Sequence, residues 1–80
     1  MTFPLSIFAL NKEIFFGDAE SVSVPASQGR LQILPRHIPL ITRLEAGNLI
    51  IEHNKEKDVL PIAGGILEVN RKEVVILVNF

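Results

Sequence analysis

Nowhere in this 80-residue chain do apolar residues hold a 3.6-residue period long enough for a helix. They alternate in short runs, and turn-forming residues interrupt them about every eight to ten residues. Phe3, Leu5, Ile7 and Ala9 form one apolar face at period two, with Pro4 suited to a first or edge strand. Asn11, Lys12 and Glu13 form a polar turn, and Gly17 with Asp18 reads as a bulge or bend after Phe15 and Phe16. Val22 and Val24 point inward and Ser21 and Ser23 outward. Positions 26–29 are a loop, 49–52 a strand and 53–58 an exposed hairpin loop, with a return strand over 59–62. Gly64 and Gly65 break that strand, 66–69 form the next, and the unbroken apolar run 74–78 reads as a strand covered on both sides. The expected fold is all-β: a flattened antiparallel β-sandwich or barrel of short strands, a single domain over 1–80 with one core between two sheets.

The most distinctive stretch is Ile33, Leu34, Pro35, Arg36, His37, Ile38, Pro39 and Leu40. Two prolines fix φ and remove two backbone donors, so no strand continues through it. Each also drives its predecessor, Leu34 or Ile38, toward extended geometry. The expected result is a rigid corner that holds Arg36 and His37 away from the fold, where a partner can reach them.

A domain of this size buries roughly 60–65% of the surface its unfolded chain exposes. With no cysteine, neither disulfides nor a thiolate metal site can reinforce it. The hydrophobic share is 48%, apolar enough that some of it is expected on the surface as a contact face. Eight basic and nine acidic residues leave a net charge of -1, which sets up no field for nucleic acid. The longest apolar run is far too short to span a bilayer, and the N-terminus lacks the basic region of a signal peptide. These features read as an intracellular soluble domain that needs a partner.

No catalytic constellation is visible. Gly64 and Gly65 lack the lysine, spacing and helix of a phosphate loop, and read as a bulge or a close backbone approach. His53 has Glu52 and Glu56 nearby but no third ligand, so it reads as a solvated hairpin residue rather than a metal ligand. Asp18 and Glu20 share a strand face without a cleft, and no serine or threonine sits in a nucleophile-elbow pattern. Arg30, Arg36 and Arg43 bias the middle of the chain toward positive charge. With no Trp or Tyr and only five Phe, however, stacking platforms for an oligonucleotide are missing. A stand-alone β-barrel binding module is the alternative reading, either for nucleic acid or as a carrier domain modified at Lys55 or Lys57.

Taken together and in order, several motifs carry a resemblance. They are Phe16-Gly17-Asp18-Ala19-Glu20-Ser21-Val22, then Val24-Pro25 and Gly29, the proline corner, Thr42, Gly47, and Gly64-Gly65-Ile66-Leu67-Glu68-Val69. Over about residues 3–78 the chain closely resembles the N-terminal β-sandwich of the ε subunit of F-type ATP synthase. The resemblance implies a flattened sandwich of about ten strands at the foot of the central stalk. It implies a non-catalytic subunit without cofactor or metal, bound to the γ (gamma) subunit and resting on the c-ring of the membrane sector. Such a subunit couples proton or ion translocation to ATP synthesis. It implies a location at the cytoplasmic face of the inner membrane, peripheral through the complex, with no direct insertion and no nucleic acid.

Matched position by position, the resemblance assigns Ala9, His37, Ile38 and Thr42 to the γ interface and Arg30 and Arg36 to the c-ring interface. Two positions depart from the family pattern: Arg30 stands where an acidic residue is common, and Arg36 replaces the usual glycine before the histidine. An arginine there implies ring loops that offer carboxylates or backbone carbonyls. Family members usually continue into a two-helix C-terminal hairpin; over residues 1–80 the expected fold has no C-terminal helical hairpin.

Overall fold

The computed structural model describes residues 1–80, none of them helical. Nine strands follow one another: β1 (Phe3–Ala9), β2 (Lys12–Ala19), β3 (Ser21–Ala26), β4 (Gly29–Ile33), β5 (Leu40–Leu44), β6 (Gly47–His53), β7 (Glu56–Ile62), β8 (Gly64–Val69) and β9 (Val74–Asn79). They form one sheet in the order β2-β1-β9-β8-β5-β3-β6-β7, with β4 on the edge of β3. The sheet folds back on itself at the narrow seam between β3 and β5. There the only paired residues are Ala26 and Leu44, supported by the Glu45 amide donating to the Pro25 carbonyl at 2.7 Å. Two layers result, β2-β1-β9-β8-β5 over β4-β3-β6-β7. Alternate residues of both turn inward to a single core that includes Leu5, Ile7, Val22, Val24, Leu49, Leu67 and Ile76.

Every ladder is antiparallel except β1 with β9, which run parallel from Leu5 opposite Val74 to Phe8 opposite Leu77. The strands count nine where about ten were expected. β1 is an interior strand between β2 and β9, not an edge. Pro4 is accommodated because the β9 ladder begins one residue later, at Leu5. No bulge occurs at Gly17 and Asp18, through which β2 runs unbroken. The extra residue is Ile14, since Ile7 pairs with Phe15 but Phe8 pairs with Glu13. Ser21 is buried rather than outward in solvent, because β6 flanks it and pairs it with Glu52.

The 53–58 segment is tighter than a polar loop. His53 pairs with Glu56 across a two-residue turn in which Asn54 and Lys55 have φ of 50° and 63°. Both central residues are left-handed, the turn whose twist matches paired strands, so Glu56, Lys57 and Asp58 lie within β7. Between β8 and β9, the Asn70 carboxamide oxygen accepts from the amides of Lys72 and Glu73 at 2.8 and 2.9 Å.

Gly65 is where two strands come closest. A Cβ built on it would lie 2.2 Å from the Leu77 carbonyl oxygen and 3.1 Å from Val78 Cα. Of the two readings the sequence left open for the glycine pair, a bulge or a close approach, Gly65 shows the close backbone approach, and the β8–β9 register runs without a bulge.

Candidate partner interface

The two outer faces of the sandwich differ in chemistry. On the β2-β1-β9-β8-β5 layer, the register places Phe16, Ser6, Val75, Glu68 and Ile41 in one row across the strands. The next row holds Phe8, Leu77, Ile66 and Arg43. Phe16 is 74% exposed, Ile41 73%, Leu77 52% and Ile66 50%. The outer side of β9, expected to be covered, is open. The alternation that sends Val74, Ile76 and Val78 into the core sends Leu77 outward, and no element of this chain lies over it. An outer face with four large exposed apolar side chains, set among Ser6, Glu68 and Arg43, has the character of a contact surface. On the other layer the outward positions of β3 and β4 are Ser23, the buried Pro25, Arg30 and Gln32, mainly polar, and β6 and β7 extend the Ser23 row with Ile50 and the exposed Val59.

The proline corner joins β4 to β5 at one end of the sandwich. Ile38 stands 80% exposed between the prolines, whereas His37 does not project. Its ring is half-buried and packs edge-on against Phe3 with centroids 5.5 Å apart, and its Nδ1 is buried without a hydrogen-bond partner. The apolar Phe3 ring offers the imidazole more contact than solvent does. Arg36 is exposed and adopts φ of 65°, a left-handed conformation natural to glycine. The glycine expected here from the resemblance thus has a backbone reason.

The residues assigned to one interface are not neighbours. Ala9 ends β1, beside Leu10, Lys12, Val78, Asn79 and Phe80, while His37 touches Phe3 at the start of that strand. At the strand rise, six residues separate them by about 20 Å. Thr42 is half-buried midway along β5, opposite Leu67. Arg30 and Arg36 are likewise apart: Arg30 lies near the start of β4 and Arg36 just beyond its other end.

Arg30 is not a free surface cation. Its Nε donates to Ser23 Oγ at 3.1 Å and its Nη2 to the Asn48 carbonyl at 2.7 Å, so the side chain crosses from β4 over β3 to β6. His53 is not a freely solvated residue. Its Nε2 lies 2.7 Å from Asp58 Oδ2, and its ring packs edge-on against Phe15 at 5.2 Å, where β2 and β6 approach. The carboxylates of Glu52 and Glu56 do not bond its ring, although Glu56 is its backbone pair, and no three His, Cys, Asp or Glu side chains gather as a metal site would need.

Sequence reasoning expected an apolar contact face and named the corner, but did not extend that face over β8 and β9. Its signal was present in β9 and β8, where apolar residues occupy both phases of the alternation: Leu77 and Val75 beside Ile76, and Ile66 beside Leu67.

The model of the ATP synthase, Delta/Epsilon chain, beta-sandwich domain matches residues 2–80. The ATP synthase epsilon chain of Prochlorococcus marinus (strain MIT 9301) is 39% identical over 79 residues, covering 99% of this chain and 59% of that protein. The epsilon chain of Synechococcus sp. (strain CC9605) is 37% identical, with 99% and 58% covered. The chain thus spans about three-fifths of the length of these curated relatives. Among solved structures, a chain of the Euglena gracilis mitochondrial ATP synthase (OSCP/F1/c-ring, rotational state 1) superposes with a TM-score of 0.86 at 22% identity. That match covers 98% of this chain and 49% of that one. A chain of the Tetrahymena thermophila mitochondrial ATP synthase central stalk and c-ring superposes with a TM-score of 0.85 at 16% identity, covering 100% and 65%. At these identities the structural matches speak to the fold.

Proposed function

Because the chain belongs to the family of ATP synthase delta/epsilon-chain β-sandwich domains, we propose that it is a non-catalytic rotor subunit of an F-type ATP synthase. It binds γ and the c-ring at the foot of the central stalk and couples proton or ion translocation to ATP synthesis. The observation that carries this reading is the open apolar face of Phe16, Ile41, Ile66 and Leu77 together with the exposed Ile38. A small domain with this much apolar surface is built to be covered by another protein.

In this reading Ala9, His37, Ile38 and Thr42 meet γ. Since Ala9 and the corner lie at opposite ends of β1, that contact runs the length of the domain. Arg30 and Arg36 meet the c-ring, and because they bracket β4, the ring contact follows this free edge of the sheet. His37 contributes by shape, seated on Phe3, while Ile38 supplies the apolar knob. No helix here is long and apolar enough to cross a membrane. The domain sits at the membrane surface through its partners, on the cytoplasmic face.

The test is co-purification with the γ subunit of the same organism's synthase, followed by native mass spectrometry. A one-to-one complex is expected, weakened by Ile38→Asp with the isolated domain still folded. Absence of a complex between two folded proteins would refute the stalk reading.

A further inference from the structure

We infer that Arg30 is a pre-set receptor for a carboxylate, and that the protein loop it meets on the ring is acidic. The inference rests on the ring contact proposed above. A guanidinium has five N–H donors in a fixed planar fork. Two of Arg30's are used, one on Ser23 Oγ and one on the Asn48 carbonyl, which leaves three on an exposed residue. Both acceptors are neutral, so the charge is not compensated. No carboxylate lies within 4.0 Å of it, and the one ion pair of the molecule is His53 with Asp58.

The two hydrogen bonds reach two different strands, so they fix the plane of the fork against a rigid sheet. A free arginine loses rotamer entropy when it binds; one held this way has already lost most of it. The remaining N–H groups can donate to the two oxygens of a carboxylate side by side. The setting also selects against the other anionic surfaces. By register and hydrogen bond Arg30 neighbours Pro25, Ser23, Gln32 and Asn48, none of them charged, and the exposed Glu45, whose amide donates to the Pro25 carbonyl, makes no ion pair with it. A phospholipid surface or a nucleic acid is held by several cations acting together, whereas one oriented cation among neutral polar groups fits one carboxylate on a complementary protein surface.

The experiment uses the full gene product and the detergent-purified ring of the same synthase, with binding to γ as the readout of correct folding. Arg30→Gln and Arg30→Glu are expected to weaken ring binding by about ten- to hundredfold, the range of one charge-assisted hydrogen-bonded pair. Arg30→Lys keeps the charge but not the fork and should restore only part of the loss. Ser23→Ala leaves the charge in place and loosens its orientation, and should weaken binding by a smaller factor. With native Arg30, changing the loop carboxylates of the ring to their amides should reproduce the Arg30→Gln loss, a check that does not depend on the variant's folding. Equal ring affinity for native and Arg30→Gln proteins, or ring loops without carboxylates, would overturn the inference while leaving the ring contact standing. A native subunit that binds γ but not the ring would overturn the ring contact, and this inference with it. Retention on anionic vesicles alone, lost in Arg30→Gln, would overturn it in favour of a lipid headgroup.

Discussion

Replacing Gly65 with alanine adds one methyl group at the tightest point of the sheet. The new Cβ would stand 2.2 Å from the Leu77 carbonyl oxygen, short of an ordinary carbon–oxygen contact by about 1 Å. The obstacle is backbone, so no side-chain rotation relieves it. Relief requires β8 and β9 to separate near the Gly65–Val78 pair, which disturbs β9 where it is also laddered to β1. Overpacking of well-packed sites costs typically about 1–3 kcal/mol, and a backbone clash belongs at the upper end, about 3 kcal/mol. For a domain of this size that lowers Tm by roughly 12–24 °C. The loss is a large part of a total stability of about 4–12 kcal/mol. Far-UV circular dichroism is the suitable probe, since the chain has neither Trp nor Tyr. Gly17→Ala is the control: its added Cβ would meet only Phe15 ring carbons at 3.9 Å, an ordinary contact. It is expected to change stability by less than about 1 kcal/mol. A Gly65→Ala protein melting within a few degrees of the native one would refute the view that β8 and β9 are held in fixed contact.

Other substitutions separate packing from partner binding. Ile76→Ala, in a fully buried side chain of β9, should cost about 2–5 kcal/mol in denaturant titrations. Its neighbour Leu77→Asp, on the open face, should change the isolated domain by no more than about 1 kcal/mol yet weaken the γ complex at least tenfold in native mass spectrometry. Arg36→Gly should relieve the left-handed strain at φ of 65° and raise stability by about 0.5–1 kcal/mol in thermal melts. A double-mutant cycle of His53→Ala and Asp58→Ala should return a coupling of at most about 1 kcal/mol. The Asp58 side chain is 56% exposed, and solvent screens the pair.

The sequence alone determined that this chain is a small all-β sandwich, because period-two alternation and frequent turn signals are local properties. Residues 3–9 as a strand, Val22 and Val24 in the core and the glycine pair as a bulge or a close approach all followed from such patterns. The ordered motifs also carried the resemblance that the family match bears out. Tertiary structure decided what local patterns do not encode. The parallel pairing of β1 with β9 joins the two ends of the chain, and no alternation in either strand specifies that neighbour. Asn54 and Lys55 are polar in any loop; only the register between β6 and β7 makes them a two-residue turn. Arg30 reads as a cation in sequence, and only the crossing of β4, β3 and β6 gives its donors Ser23 and Asn48 to hold. Leu77 and Ile76 look alike in an apolar run. The pleat separates them by direction, and packing then places one in the core and leaves the other open for a partner.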